Sequence, residues 1–389
     1  MNATPPAVPP ATVNLGDACH GLLARLAGRA PDGLLTESRR WLATHDTVTM
    51  AVAVASYAAS ARLPLAARDV ALVRALLAGA GLGTATAAKI ETIDGEPPLD
   101  HAFAPVPPAE AAALADRIGH CLDLTVPPVP GQPEGLVDEL DIAAAQSAAA
   151  VPGAAAYWRA WRSPADAAPW PRPVRIHLLA VESGTAPYLA AAALQEELAD
   201  LGERDPQVEA FALDDELPAY QRTARARGAL LWTAKPRGPV RLASVYDLAD
   251  SPSGAGFSPA RARLGAAERE RVAAYLAAGT LLLATTARLD DVLAPAAFNS
   301  AGFDPAAFDS TASDSRASDS TGRGRVPVNF RTDGAWVWSD AAHYYVHKHG
   351  VAPDPGLLEH IRAAGLRPGT PDALALFRAL AALTAPAVR

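Results

Sequence analysis

The sequence predicts an α/β protein in which a helical N-terminal domain precedes a mainly parallel sheet domain with a C-terminal β-hairpin and covering helices. Three patterns in the 389-residue chain indicate this fold class. Up to about residue 150, apolar residues recur at helical spacing, with glycine or proline between the runs. After about residue 173, continuous apolar runs alternate with amphipathic helices, as in parallel sheets that helices cover on both faces. Near the C-terminus, an Asp-Gly pair between alternating runs indicates the hairpin.

The N-terminal part divides into an arm and a helical domain. Residues 1–15 are rich in proline, which predicts a mobile arm. Residues 16–150 contain amphipathic segments, followed by stiff proline-rich loops and a further alanine-rich helix. We therefore expect this domain to be almost wholly helical, and we expect strands only after about residue 172.

A tryptophan-rich run, residues 151–172, follows the helical domain. It contains Trp158, Trp161 and Trp170 together with two arginines. We interpret it as a domain joint in which the tryptophans bury the seam and the arginines face water.

The sheet domain is predicted for residues 173–298. Its strands are the apolar runs VRIHLLAV, VEAFAL, ALLWTA, PVRLASVYD and TLLLATT, with amphipathic helices between most of them. Residues 299–325 repeat Asp-Ser among small polar residues, which predicts a solvated low-complexity loop. Residues 326–389 then complete the α/β domain with the hairpin and further helices.

Polar residues follow the predicted strands at their carboxyl ends, where a parallel α/β sheet binds its ligands. Glu182 and Ser183 come after the first strand, and Asp247 and Asp290 come after the fourth and fifth. These four residues form the candidate site of an enzyme. No catalytic signature is complete in the sequence, so the catalytic residues stay unassigned.

Two further strand ends have competing interpretations. Acidic residues 214–216 begin a helix, or Asp214 and Asp215 hold magnesium together with Asp290. Residues 182–187, ESGTAP, have one glycine and no lysine, so they meet neither the P-loop nor the dinucleotide pattern. Anion binding by the amides of this run and ordinary capping of the next helix remain the alternatives.

The predicted hairpin turn is the Asp-Gly pair, residues 333–334. A two-residue type I′ turn there pairs Arg331 with Trp336. The two-residue period of a strand places both on one face of the hairpin. Phe330 and Val337 share the other face, which we expect to pack against the core.

The face that carries Arg331 has two interpretations. In the first, the rest of the fold covers its tryptophans, as is usual for aromatic clusters. In the second, the face is exposed and binds a partner, because tryptophan and arginine dominate binding hot spots. The residues of this candidate binding surface are Arg331, Asp333, Trp336, Trp338 and Tyr344.

Helix-capping residues follow the hairpin. Ser339 is a candidate N-cap, and Gly350 stands where the same helix would end. Asp354 with Pro355 after it predicts the start of the next helix.

Metal ligands are incomplete at both places where they cluster. Asp340, His343 and His347 share one helical face, but the zinc-protease pattern needs glutamate where Tyr344 stands. The two neighbouring Cys-His pairs, near residues 20 and 120, would form a zinc site only if the two segments met. We expect a capped helix end, no stoichiometric zinc and no cofactor.

Composition excludes several classes of protein. A net charge of −8 leaves no basic excess to displace counterions from phosphates, so we expect no nucleic-acid partner. The most apolar stretch, residues 50–61, is too short to span a bilayer, so we expect no membrane partner. The N-terminus has neither a basic start nor an apolar core, so it lacks the features of a signal peptide. Two cysteines fit a reducing cytoplasm.

The run FRTDGAWVW, with YY, HG and PDP after it, resembles the C-terminal part of uncharacterised proteins from actinobacteria. The likeness covers roughly residues 170–365. It implies an actinobacterial origin and a modular chain, and it implies no activity and no site residue.

Two functions follow from these features. The first is a cytoplasmic, non-catalytic binding protein (a regulator, an adaptor or an immunity-type partner) that holds a protein or a small ligand on its aromatic-arginine surface. The alternative is a hydrolase or transferase that uses the strand-end carboxylates, and its support is analogy of fold. Convergence of Asp247, Asp290 and Arg331 would favour the enzyme. The sequence predicts no oligomeric state.

Overall fold

The computed structural model describes residues 14–128, 131–166, 168, 170–248, 255–294 and 324–386. The predicted arm and the predicted low-complexity loop lie outside the described residues, except for the last two residues of each. The chain forms two compact units, an N-terminal unit (Met1–Pro239 with Thr384–Arg389) and a C-terminal unit (Val240–Leu383). Both combine helices with strands, so the predicted α/β class is confirmed.

The N-terminal unit begins with the predicted helices. Asn14 caps the first by accepting a hydrogen bond from Gly16 N at 3.1 Å, and Asp46 caps the third by accepting from Thr49 N at 3.0 Å. The helices of this unit are α1 (Leu15–Leu26), α2 (Asp32–Ala43), α3 (Thr47–Ser60), α4 (Ala67–Gly79), α5 (Pro108–Ala113), α6 (Glu139–Ala150), α7 (Pro187–Asp200) and α8 (Ala219–Ala226).

The main sheet of this unit is mixed, and not mainly parallel as predicted. The strands of the unit are β1 (Leu65–Ala66), β2 (Thr92–Ile93), β3 (His101–Ala104), β4 (Leu122–Asp123), β5 (Ala154–Pro164), β6 (Val174–Val181), β7 (Gln207–Ala212) and β8 (Ala229–Thr233). The main sheet has the order β4-β8-β5-β6-β7, and β3 also pairs with β5. β6 is parallel to β7 and β4 to β8, but β5 is antiparallel to β3, β6 and β8. The alternation of strands and helices predicted that neighbouring strands would be parallel. It did not reveal that β5, which precedes β6 in the chain, inserts between β6 and β8.

The segment expected as a joint, residues 151–172, contains this central strand instead. Trp158 and Arg159 in β5 are both buried. Arg159 forms an ion pair with Asp141 and donates to the Leu136 carbonyl at 3.1 Å. The expectation that the arginines face water was wrong because carboxylates and carbonyls from other segments satisfy them inside the fold.

Strands also occur where an almost wholly helical domain was expected, within residues 16–150. β1 and β2 pair with each other, β3 pairs with β5, and β4 pairs with β8. The predicted boundary near residue 150 is therefore wrong, because helices and sheet belong to one unit. Strands of two to four residues carry too little periodicity to be recognised in a sequence.

Helix α7 connects the parallel strands β6 and β7 and covers the sheet together with α6. Their shared core includes Ala148, Leu179, Leu194 and Val208. Helices α1 and α2 pack against α7 in turn. This arrangement places the start of α7 at the carboxyl end of β6, with α1 beside it.

The C-terminal unit has a sheet of its own. Its strands are β9 (Arg241–Leu242), β10 (Thr280–Leu283), β11 (Arg288–Asp290), β12 (Arg325–Pro327), β13 (Phe330–Thr332) and β14 (Trp336–Ser339). Its helices are α9 (Ala266–Ala278), α10 (Asp340–His349), α11 (Pro355–Ala363) and α12 (Ala373–Thr384). The sheet order is β10-β13-β14-β9, and β11 pairs with β12 separately. Residues 173–298 are thus divided between two units, and the hairpin completes the second sheet rather than the predicted single domain.

The hairpin forms with a register two residues away from the predicted one. Arg331 pairs with Trp338 rather than Trp336, and Thr332 pairs with Val337. Because the shift is even, Arg331 and the two tryptophans still share one face.

The turn itself explains the shifted register. A type I′ turn needs positive φ at both central residues, and of the Asp-Gly pair Gly334 has it (φ 92°) while Asp333 does not. The Asp333 carboxylate instead accepts hydrogen bonds from the backbone nitrogens of Ala335 and Trp336, at 2.9 Å each. A longer, side-chain-stabilised turn therefore replaces the two-residue one.

Helix length bears on membrane insertion. The longest described helices, α3 and α7, have 14 residues each. Spanning a bilayer takes about 20 apolar residues, and among the described residues no helix is long and apolar enough to do so.

Candidate functional site

The tryptophans of the candidate hairpin surface are buried. Trp336 is 7% exposed and Trp338 is 1% exposed, in a core shared with Val272, Leu276 and Leu357. The exposed binding surface expected at these residues is not formed, because helices of the same unit cover the face. The structure agrees with the first interpretation of the hairpin, in which the rest of the fold covers its tryptophans.

Arg331, on the same face, is engaged within the unit. Its Nε donates to Asp340 Oδ1 at 2.7 Å, and its Nη1 donates to the Gly279 carbonyl at 3.0 Å. A Cβ at Gly279 would lie 2.2 Å from the Trp338 ring, so this glycine lets the indole pack against the backbone. The second Asp340 oxygen accepts from Asn329 Nδ2 at 2.9 Å. Both charged groups therefore have partners inside the unit.

Asp333 ties the hairpin turn to two helices. Its buried Oδ2 accepts hydrogen bonds from Tyr275 Oη and His360 Nε2, at 2.6 Å each. Burial raises the pKa of this carboxyl, but hydrogen bonds from Tyr275 and the turn backbone outweigh burial and hold the pKa below its usual range. The contacts assign Asp333 a structural role.

Tyr344 belongs to a second closed network, around Asp291. The buried Asp291 Oδ2 accepts from Tyr344 Oη at 3.1 Å, Lys348 Nζ at 3.1 Å and His349 Nε2 at 2.8 Å. Burial raises the pKa of Asp291, but these donors outweigh it and lower the pKa to about 2. The carboxylate is therefore ionised and fully engaged at neutral pH.

The first two crevice candidates are exposed. Glu182 and Ser183 lie in the loop after β6, and Glu182 faces Lys235 at 3.2 Å. An exposed ion pair of this kind contributes little to stability.

The other two crevice candidates do not converge with Arg331. Asp247 accepts a hydrogen bond from Ser258 N at 2.9 Å, and Asp290 lies 3.7 Å from Arg325. Both belong to the C-terminal unit, whereas Glu182 and Ser183 belong to the N-terminal one. The convergence that would favour the enzyme is not observed among the described residues.

The histidine and cysteine pairs are the metal-ligand candidates of the sequence. No group of three or more His, Cys, Asp or Glu side chains placed to hold a metal ion occurs among the described residues. The rings of His343 and His347 stack with centroids 5.7 Å apart. Cys19 and Cys121 are buried and free, and burial raises the pKa of both thiols to about 11. Neither thiol is therefore ionised at neutral pH.

A cavity of about 1040 Å³ lies in the N-terminal unit, at the carboxyl ends of β6 and β7. Residues 184–187, at the start of α7, and residues 215–221, at the start of α8, form one part of its wall. The rest comes from one face of α1, the start of α4 and the segment between residues 93 and 101. Open α/β sheets bind ligands at this edge, and small-molecule sites have volumes of roughly 300–1,000 Å³.

One face of α1 lines the cavity along the whole helix. The lining residues Asn14, Asp17, Gly21, Ala24 and Gly28 recur at intervals of three and four, which is the spacing of one helical face. Their side chains are short or absent, and at Gly21 the Arg25 guanidinium occupies the space that a side chain would take. The opposite face of α1 contributes leucines to the core.

The start of α1 lies beside the ends of the two parallel strands. A Cβ at Gly16 would come within 2.7 Å of the Tyr188 ring at the start of α7. His20 Nε2–H donates to the Ala210 carbonyl of β7 at 2.8 Å. Burial lowers the pKa of His20 to about 4, so the ring is neutral at physiological pH.

The end of α1 meets α8 and β3. Gln221 Nε2 donates to the Ala24 carbonyl, and His101 Nε2–H donates to the Gly28 carbonyl, at 2.8 Å each. Gly28 has a φ of 72°, and a Cβ there would lie 2.5 Å from the Tyr220 ring. Both the backbone conformation and the close approach require glycine at this position.

Three arginines line the cavity from the middle of α1 to its end. Arg25 Nε donates to Asp69 Oδ2 at 2.8 Å, and Arg29 Nη2 donates to the Pro64 carbonyl at 2.5 Å. Arg68, at the start of α4, lines the same region and is exposed. Burial lowers the pKa of Arg29, which reflects the cost of keeping its charge away from water.

Sequence reasoning identified only part of this cavity. Residues 182–187 and 214–216 were recognised as strand ends, and both runs contribute to the wall. The face of α1, the start of α4 and the segment 93–101 were missed, because they were assigned to a separate helical domain. The stripe of short side chains on α1 is the signal that could have found the rest.

Comparison of the chain with protein-family models, with curated proteins and with solved structures found no match. The resemblance to actinobacterial proteins stays a prediction.

Proposed function

We propose that this protein binds a small organic molecule in the cavity of its N-terminal unit. The observation that carries the proposal is a cavity of about 1040 Å³ at the carboxyl ends of β6 and β7. Its wall combines apolar residues such as Ile93, Leu99 and Phe211 with charged ones. Concave sites of this size, mostly apolar with a few oriented polar groups, are typical of small-molecule binding.

The polar groups of the wall are held in place by the unit itself. His20 is fixed by the Ala210 carbonyl, and Arg25 is fixed by Asp69. Side chains that are already ordered lose little conformational entropy when a ligand binds. This preorganisation supports binding without a large rearrangement of the wall.

The cavity replaces the hairpin as the proposed binding site. Burial of Trp336 and Trp338 removes the support for a protein partner on that face. Among the described lining residues, the hydroxyls of Thr185 and Tyr220 are not hydrogen-bonded to a histidine or a carboxylate. Nucleophilic catalysis uses that arrangement, so we propose binding and assign no reaction.

A matched pair of tryptophan substitutions on α8 tests the site. Ala219 lines the cavity at the first position of the helix, and Ala226 is exposed at the last. Ala219→Trp places an indole in the cavity and keeps the backbone N–H that donates to Glu96 at 2.9 Å. Ala226→Trp adds the same side chain outside it.

The measurement is a thermal-shift screen with amino acids, peptides, nucleotides and sugar phosphates, followed by calorimetric titration. A ligand at about 100 times its Kd stabilises the folded state by about 2.7 kcal/mol. We expect a ligand that stabilises the wild type and Ala226→Trp but not Ala219→Trp. Equal binding to both variants would place the ligand elsewhere, and a folded wild type that binds no member of the set would contradict the proposal.

A further inference from the structure

One part of the cavity wall is a short segment that belongs to no helix or strand. It comprises residues 94–99, DGEPPL, between β2 and β3, and all of them except the first line the cavity. None of these residues is fully buried, and a Cβ at Gly95 would meet nothing within 4 Å. Little of the fold therefore packs against this segment, which we call the strap.

Both ends of the strap are attached to other parts of the wall. Before it, Ile93 in β2 pairs with Ala66 in β1, directly before α4. After it, His101 Nε2–H donates to the Gly28 carbonyl at the end of α1, at 2.8 Å. The strap thus runs from the start of α4 to the end of α1.

Between these ends, a single side chain holds the strap. Glu96 Oε1 accepts a hydrogen bond from Ala219 N at 2.9 Å, and Glu96 Oε2 accepts from Arg222 Nη2 at 3.2 Å. The Ala219 N–H is the first of α8, so it has no acceptor within its own helix. Within the part of the chain that the structure describes, these are the only hydrogen bonds that the strap forms. Its two prolines have no N–H to donate.

The Glu96 contact is weaker than the contacts that fix the rest of the wall. The side chains of Glu96 and Arg222 are 48% and 53% exposed, so water and salt screen their attraction. Arg25 on α1, by contrast, is held by Asp69, whose side chain is 3% exposed. Segments with few buried contacts open more readily than the helices and strands around them. The strap is therefore the part of the wall that can move while α1 stays in place.

We infer that the strap opens and closes the cavity, and that the contact of Glu96 with the start of α8 holds it closed. This inference rests on the proposed function and adds the route by which the ligand enters and leaves. Gly95, next to Glu96, has a φ of 80°, and glycine changes between such conformations at little cost. Segments that close over a site in this way keep the bound molecule away from water.

A cysteine inside the cavity reports on this opening without any ligand. Ala24 is half-buried and lines the cavity on α1, where its carbonyl accepts from Gln221 of α8 and Gly28 follows one turn later. Ala24→Cys is alkylated in the full chain with monobromobimane, a bulky neutral reagent. The native Cys19 and Cys121 react slowly, because burial raises the pKa of both thiols to about 11.

Removal of the Glu96 contact should speed this alkylation. Glu96→Ala should raise the rate at Ala24→Cys about three- to tenfold, because the rate follows the population of the open strap and the lost contact is exposed. The matched control is Glu91→Ala, which removes an exposed carboxylate just before β2 that has no ion-pair partner among the described residues. This control should leave the rate unchanged.

A second reporter detects any general loosening of the unit. Ala226→Cys lies at the exposed end of α8, outside the wall, and Glu96→Ala should not change its rate. An unchanged rate at Ala24→Cys in Glu96→Ala overturns the strap, and so does an equal rise at Ala226→Cys or in Glu91→Ala.

The proposed function is tested separately, by the ligand screen. A ligand that distinguishes Ala219→Trp from Ala226→Trp keeps the cavity as the binding site even where the alkylation rates overturn the strap. If the screen finds no such ligand, the proposed function fails whatever the alkylation rates, and the inference that rests on it fails as well.

Discussion

The cavity of the N-terminal unit and the hairpin core of the C-terminal unit use charged side chains in opposite ways. In the C-terminal unit, Asp333 in the hairpin turn and Asp291 beside α10 each accept several hydrogen bonds from the same unit. Along the cavity, Asp17 forms no ion pair with the described residues, and Arg29 donates to a backbone carbonyl. Closed networks stabilise a fold, whereas a carboxylate without an ion-pair partner, such as Asp17, is available to a ligand.

The difference shows why residue chemistry alone misleads. Residues 326–350 combine tryptophan, tyrosine, histidine and arginine, the types that dominate binding sites, yet they build a core. Helix α1 is rich in alanine, leucine and glycine, yet one of its faces lines the cavity. What distinguishes a site is how far its polar groups are satisfied within the fold.

The largest expected effect tests whether the hairpin tryptophans belong to the core of the C-terminal unit. Trp338→Ala should destabilise the C-terminal unit by about 3–5 kcal/mol, because a buried aromatic side chain loses its packing and leaves a void. Trp170, which is 72% exposed, provides the control, and Trp170→Ala should change stability by no more than about 0.5 kcal/mol. Urea denaturation followed by circular dichroism and hydrogen exchange measures both. If both variants lost little unfolding free energy, the result would support the interpretation of the hairpin as an exposed binding surface.

Local signals predicted the ends of helices in this same region. Ser339 takes the N-cap position of α10, as predicted, but its side chain forms no capping hydrogen bond; Gly350 ends the helix in a left-handed conformation, as predicted. Asp354 caps α11 through the backbone nitrogens of Gly356 and Leu357, again as predicted. Such signals depend on neighbours in sequence, which is why they could be recognised.

Features that depend on distant residues could not be predicted in the same way. The register of the hairpin follows from Asp333, whose second oxygen is held by Tyr275 and His360. The central position of β5 depends on Asp141, which neutralises Arg159 inside the fold. The candidate site was predicted only where it follows strands directly, because its other walls meet through tertiary contacts.

A glycine comparison tests how tightly the cavity wall is built around Gly28, at the end of α1. Gly28 and Gly81 both have a φ of 72°, but a Cβ at Gly28 would lie 2.5 Å from Tyr220, whereas nothing lies within 4 Å at Gly81. Gly81→Ala should cost about 1–2 kcal/mol through backbone strain alone. Gly28→Ala should cost about 2–4 kcal/mol, because the overpacking of Tyr220 adds to the same strain. Thermal and urea denaturation of both variants measures the difference. Equal losses would show that α1 moves freely at this end, which would weaken the case for a preformed cavity.

The smallest expected effect concerns the pH dependence of the closed network around Asp291. The folded pKa of this carboxyl is about 2, below the unfolded value of about 3.9, so the folded state binds its proton less readily. Its contribution to stability is therefore fully present above about pH 5 and is lost as the pH falls towards 2.

Asp291→Asn should cost about 1–2 kcal/mol at pH 7, since Tyr344, Lys348 and His349 lose an ionised acceptor. The difference in unfolding free energy between wild type and variant, measured by urea denaturation from pH 7 to pH 2.5, should shrink below about pH 4. A difference that stays constant over this range would mean that Asp291 is not held ionised by its neighbours, and the contrast with Asp17, which has no ion-pair partner among the described residues, would disappear.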